Sequence, residues 1–189
     1  MYNLIISKKS LTVSTDAPTP GVPFHSTWRG SFYLFAFLLS AWALSSCTTS
    51  FYIVRHAEKS TSPKENPVLT EAGSQRAERL KKILENKGIE RVYSTKTVRT
   101  TTTAKPLANA RKIEIEIYEP KNQSALIETL KKSKQNTLIV GHSNTIRHII
   151  NGLSEKEFLK KDLEDSEYSN LYLVKRGKLG KPKAKVQQY

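Results

Sequence analysis

Phe51-Tyr52-Ile53-Val54-Arg55-His56-Ala57-Glu58 decides how the rest of the chain reads. Its first four residues are aromatic or β-branched and predict a strand. That strand would carry Arg55 and His56 to its C-terminal tip. A second stretch repeats the design. Thr137–Val140 is a continuous apolar run, expected as a buried central strand, and Gly141-His142-Ser143-Asn144 follows it. A third strand-like run, Ile89–Tyr93, leads into Ser94 and, within the first turn of the next helix, Arg99. In open α/β sheets the ligand crevice lies beyond the carboxyl ends of the strands. Residues far apart in sequence are therefore expected to converge: Arg55, His56, Ser94, Arg99 and His142. Two histidines and two arginines at strand tips suit a phosphoryl group.

The intervening segments alternate with these strands. Thr70 is a candidate N-cap for a helix in which Ala77, Leu80, Ile83 and Leu84 form one apolar face, closed by Gly88. A second helix is expected from Thr97 to Ala104, with Pro106 interrupting or kinking it. Ile113–Tyr118 alternates apolar and polar residues, which predicts a strand at or near a sheet edge. Ala125–Lys132 predicts a short amphipathic helix, Asn144–Ile150 another that Gly152 ends, and Glu155–Leu163 a charged one. Asn170–Val174 predicts a last strand, and Lys175–Lys185 a solvated, mobile tail. The pattern predicts an α/β fold, a three-layer α/β/α sandwich with a mostly parallel central sheet.

Composition narrows the partners. The chain has 189 residues and a net charge of +14, enough length for one catalytic domain and a real core. A basic surface draws anions of many kinds. No aromatic residues interleave with the basic runs, so nucleic acid is a poor fit. No Gly-x-x-x-x-Gly-Lys-Ser/Thr segment exists, which disfavours a P-loop nucleotide enzyme. One cysteine, Cys47, excludes an intrachain disulfide and a cysteine-rich zinc cluster.

Residues 31–44 carry no charge and are mostly apolar. The run is short for a membrane span, which needs roughly 20 residues, but it suits the apolar region of a secretion signal. Leu44-Ser45-Ser46-Cys47 follows and resembles the bacterial lipobox, whose cysteine is lipidated after cleavage. The expectation is a disordered N-terminus plus signal peptide over 1–46 and a catalytic domain over 47–189. Lipidated Cys47 would then anchor the protein in the cell envelope, facing the periplasm. A plain signal anchor, or a buried apolar helix with an incidental cysteine, is the other reading; without a true signal the protein would be cytoplasmic. Removing 1–46 takes away only Lys8, Lys9, Arg29 and Asp16 among charged residues, so the basic character belongs to the domain.

Four motifs in order resemble the histidine phosphatase superfamily, with its phosphoglycerate mutase-like fold. They are Arg55-His56-Ala57, then Leu69-Thr70-Glu71-Ala72-Gly73, then Tyr93-Ser94 with Arg99 and Thr103-Ala104, and Gly141-His142-Ser143. The first departs from the family's arginine-histidine-glycine at Ala57. The resemblance implies that His56 is a nucleophile forming a phosphohistidine. It implies that Arg55, Arg99 and His142 bind the phosphoryl oxygens, and that no metal or cofactor is needed. It also implies a general acid, for which Glu119 is the first candidate and Glu58 the second. Ser143 and Asn144 sit where helix N-terminal amides could face phosphate, or are ordinary N-caps. Ser94 supports the site or caps the next helix, and His148 belongs to packing or the surface.

The expected activity is hydrolysis of phosphomonoesters, with a phosphorylated small molecule as substrate. A phosphoglycerate mutase-type phosphotransferase and a phosphohistidine-protein phosphatase share the same chemistry. The alternative from another class is a non-catalytic basic anion-binding module.

Overall fold

Strand β1, Thr49–Arg55, is buried along its whole length, as a strand with neighbours on both edges and helices on both faces must be. The computed structural model describes residues 48–189. The apolar stretch 31–44, Cys47 and the rest of the expected 1–46 segment lie outside these described residues. Four helices and five further strands follow. They are α1 (Glu71–Leu84), β2 (Arg91–Ser94), α2 (Val98–Arg111), β3 (Ile115–Ile117), α3 (Gln123–Lys132), β4 (Thr137–Gly141), α4 (Ser143–Ser154), β5 (Asn170–Arg176) and β6 (Lys183–Gln188). The six strands form one sheet in the order β3-β2-β4-β1-β5-β6. The first four in that order run parallel, and β5 and β6 are antiparallel. β4 is central and β3 is an edge, as their burial patterns in the sequence predict.

Side chains alternate across the sheet and so build two cores. Val54, Val92, Leu138 and Val140 pack with Leu80, Leu84 and Leu107 of α1 and α2 on one face. Phe51, Ile53 and Ile139 pack with Leu126, Leu130, Ile146, Ile149 and Ile150 of α3 and α4 on the other. Each fully buried side chain of this size contributes about 1.5–3 kcal/mol. The result is the expected three-layer sandwich. Among the described residues no helix is long and apolar enough to cross a membrane.

Helix ends follow local chemistry, with several departures from expectation. Thr70 caps α1, its hydroxyl accepting from the Gly73 amide at 3.1 Å. Gly88, at φ +62, lies in the turn beyond that helix rather than at its cap. Pro106 does not end α2, because Leu107 and Ala108 beyond it are buried; the helix stops at Lys112, φ 55. Gly152 does not end α4 either. A Cβ there would lie 2.7 Å from Ile127 Cδ1, so the glycine serves close packing of α4 on α3. The turn out of α4 falls on Glu155, φ 54.

No helix forms over 155–163. Asn151 Oδ1 accepts from the amides of Phe158 (3.0 Å) and Leu159 (2.9 Å), and its Nδ2 donates to the Leu159 carbonyl. These local side-chain bonds satisfy the backbone in a non-helical path. The expected mobile tail is likewise ordered: Lys183–Gln188 pairs with β5, and Ala184 packs against the core. Lysines on such an edge discourage pairing with further strands.

Candidate active site

Parallel pairing of β1 with β4 sets Arg55 opposite Gly141, and the His56 amide donates to the Gly141 carbonyl at 2.9 Å. The next residue on each strand is a histidine, so the register alone makes them neighbours. Their ring centroids are 5.6 Å apart, edge to face. A second tie brings in α2. The Thr103 hydroxyl donates to the Arg99 carbonyl at 2.7 Å and accepts from the Ala57 amide at 2.9 Å. Thr103 thus fastens the turn after His56 to the helix turn that carries Arg99.

His56 is buried, and its Nδ1 lies 2.8 Å from the Ala57 carbonyl. A carbonyl only accepts, so Nδ1 holds the hydrogen and Nε2 keeps a free lone pair. Burial, with the charges of Arg55, His142 and Arg99 adding to it, pulls its pKa down to about 3. Burial and the same two arginines pull His142 down to about 4. Both rings are neutral at pH 7.

Arg55 is 4% exposed, and its two ends are treated differently. Nη1 donates to the Glu164 carbonyl at 2.7 Å and Nη2 to Asp165 Oδ1 at 3.0 Å. Its Nε is buried without a partner, and so is Nε of Arg99. An unmade bond to a buried charged donor is costly, and two such donors beside two histidines make a cluster suited to an anion. The Tyr168 ring closes one side, its centroid 4.6 Å from Arg55 Cζ and 6.0 Å from the His56 ring.

Other residues sort themselves by their partners. The Ser94 hydroxyl donates to the Thr95 carbonyl and supports the strand end. His142, not Ser143 or Asn144, is the N-cap of α4; its amide donates to the Thr145 hydroxyl at 2.8 Å. Asn144 Oδ1 accepts from the Thr145 amide, and Ser143 opens the helix beside His142. His148 is exposed and pairs with Arg147. Glu58 accepts from Nε and Nη2 of Arg76 at 2.6–2.9 Å. Burial would raise its pKa, but the Arg76 bonds and charge prevail and lower it, so it is held as a carboxylate and cannot donate a proton. Glu119 follows β3, is exposed, and accepts from the Lys121 amide at 3.4 Å.

Sequence reasoning missed Thr95, Asp165 and Tyr168. Thr95 Oγ1 lies 3.0 Å from His142 Nε2. Asp165 and Tyr168 stand in a segment without regular structure, where no periodicity marks a role. Among the described residues no three His, Cys, Asp or Glu side chains come together as metal ligands.

Comparison with known proteins bears on this geometry. The sequence model of the histidine phosphatase superfamily (branch 1) matches residues 51–120, which run from within β1 to just past β3. No curated protein sequence matches the chain. Among solved structures, the protein histidine phosphatase SixA complexed with tungstate superposes at TM-score 0.59 and 13% identity, over 74% of this chain and 97% of that one. Phosphoserine phosphatase from Entamoeba histolytica, in complex with 3-phosphoglyceric acid, gives 0.56 and 16%, over 75% and 98%. The mycobacterial glucosyl-3-phosphoglycerate phosphatase gives 0.56 and 9%, over 75% and 98%. At such identities the likeness is one of fold. The family match over residues 51–120 takes in Arg55, His56 and Arg99, and the shared architecture makes the chain similar in fold to histidine phosphatases.

Proposed function

We propose that the protein is a phosphatase that hydrolyses phosphomonoesters through a phosphohistidine on His56. One observation carries the reading: His56, with a free lone pair on Nε2, lies among the charges of two arginines whose buried Nε groups lack partners. Nε2 attacks phosphorus, an N–P bond forms and the ester P–O bond breaks. Arg55, Arg99 and His142 hold the phosphoryl oxygens as charge develops on them. Water then attacks the phosphohistidine and releases phosphate. The arginines supply the positive charge, so this chemistry requires no metal. Glu119 is the candidate donor of the leaving group's proton.

In purified full-length protein, an aryl phosphate should be hydrolysed in the presence of EDTA, and acid-labile label from the substrate should appear on His56. Release of free phosphate distinguishes hydrolysis from mutase-type transfer to a second acceptor. Equal hydrolysis by His56→Ala would overturn the reading and leave a non-catalytic anion-binding module.

The location proposed for this activity is the cell envelope. Cys47 follows an uncharged apolar stretch and two small residues, as lipidation requires, and it would tether the domain to the membrane. Labelling with palmitate in cells should disappear in Cys47→Ala. Label that persists in that variant refutes the anchor without touching the chemistry.

A further inference from the structure

His142 is tied to a chain of threonine hydroxyls whose donor directions can be worked out. Thr100 Oγ1 lies 2.9 Å from the carbonyls of both Thr95 and Thr97. Carbonyls only accept, so the one hydrogen of Thr100 points to them. The hydroxyls of Thr95, at 2.9 Å, and Thr97, at 2.8 Å, must then donate to Thr100 Oγ1. With its hydrogen committed, Thr95 Oγ1 meets His142 Nε2 at 3.0 Å as an acceptor. The ring hydrogen of His142 is therefore on Nε2.

The other ring nitrogen gives the same answer independently. Arg99 Nη2 lies 3.4 Å from His142 Nδ1. A guanidinium only donates, so Nδ1 is bare. Thr95 and Thr100 are both fully buried, which keeps solvent from offering either hydroxyl another partner. The charged and titratable groups around His142 are Arg55 from the end of β1, His56 just after it, and Arg99 from α2.

We propose that Thr95 is a positioning residue that fixes His142 as the Nε2–H tautomer, with its bare Nδ1 on the phosphoryl side beside Arg99. The two histidines then carry opposite tautomers. His56 is hydrogenated at Nδ1 by the Ala57 carbonyl and offers Nε2 as a nucleophile; His142 is hydrogenated at Nε2 by Thr95 and offers Nδ1. A bare Nδ1 repels a phosphoryl oxygen, so binding of phosphate draws one proton from solvent onto it. The resulting imidazolium donates from both nitrogens, to Thr95 Oγ1 and to the phosphoryl oxygen. The catalytic use of this device rests on the phosphatase reading; the tautomer does not.

The test is 15N NMR of the imidazoles in full-length protein at pH 7, with His142→Gln to assign the signals. In wild type, His142 should show a protonated Nε2 and a bare Nδ1, and His56 the reverse. Inorganic phosphate should turn His142 into an imidazolium, with uptake of about one proton per site in titrations across buffers. Thr95→Val should abolish that uptake and lower kcat about tenfold with His56 signals unchanged, and Thr95→Ser should restore both. A bare Nε2 on wild-type His142 overturns the proposal whether or not Thr95→Val folds. So does a Thr95→Val protein with wild-type signals and proton uptake. If the signals are as stated but no phosphate is released from any ester, the phosphatase reading fails and the tautomer assignment stands.

Discussion

The His56 ring stands edge-on to His142 at an interplanar angle of 66°; His56 is buried and His142 half-buried, both beside Arg55 and Arg99. This crowding keeps each imidazole uncharged far below its usual range. Catalysis that needs neutral His56 should therefore show no acidic limb from this residue until the pH approaches about 3. Any fall in kcat/KM near pH 6 would instead track ionisation of the substrate's phosphate, whose second pKa is about 6. Steady-state rates from pH 4 to 9, with substrates of different phosphate pKa, check this. A limb that stays fixed near 6.5 for all substrates would assign it to the histidines and contradict the burial argument.

Stability carries the same signature with a defined sign. Unfolding returns both imidazoles to about 6.5, while the folded values are about 3 and about 4. Between these limits the unfolded chain binds more protons than the folded one, so stability is full above 6.5 and is lost as the pH falls through the window. Urea unfolding of wild type and His142→Gln, compared from pH 7 to 4.5, measures it. The variant should lose less stability on acidification.

Arg99 offers a sharper test than Arg55, whose Nη groups also hold the segment at Glu164 and Asp165. A lysine at 99 keeps the charge but loses the planar fork and the buried Nε–H. Arg99→Lys should lower kcat/KM by about a hundredfold or more, the scale for removing one preorganised donor. Its melting temperature should stay within a few degrees, since Nε makes no bond in the folded protein. A lysine enzyme with near wild-type rates would mean that charge alone suffices.

Much of this architecture was legible before any coordinate. β1 and β4 announce themselves because central strands need unbroken apolar runs, and the strand-end rule then gathers Arg55, His56, Arg99 and His142. β6 was hidden, because an edge strand facing solvent can be built of Lys and Gln, and only Ala184 and Val186 hint at it. The 155–163 segment misled because charge at helical spacing says nothing of Asn151, whose amide claims that backbone. Thr95 could not be read as a partner of His142, since a hydroxyl's direction depends on Thr97 and Thr100 around it. Tyr168 lay in an irregular segment, where sequence carries no period to read.

Gly73 shows a motif residue whose reason is steric. A Cβ at this position would overlap the Glu58 carbonyl oxygen and press on its carbon and nitrogen at 3.1 Å. The Thr70 amide also donates to that carbonyl at 2.9 Å, so the first turn of α1 is fastened to the backbone just after His56. Gly73→Ala must push this junction apart, costing about 1–3 kcal/mol, the usual scale of overpacking. Thermal denaturation should show the loss. Activity should fall with it below the melting point, because the displaced residue is two positions from His56. A control at Ser74, exposed on the same turn, should leave both unchanged when replaced by alanine.

The two candidate acids can be separated by leaving group. Glu58 is locked in a bidentate pair with Arg76, and its pKa is lowered; Glu119 is exposed, with the Lys121 amide as its hydrogen-bond donor. A general acid matters in proportion to the basicity of the departing oxygen. Glu119→Gln should therefore slow alkyl phosphates by about tenfold to a hundredfold, with little effect on a nitrophenyl ester. Glu58→Gln should slow both equally and lower thermal stability, because it leaves Arg76 short of its partner. Rates measured across esters of graded leaving-group pKa give the comparison as a slope. If Glu119→Gln leaves that slope unchanged, water rather than Glu119 protonates the departing alkoxide, and the enzyme should then favour substrates with acidic leaving groups.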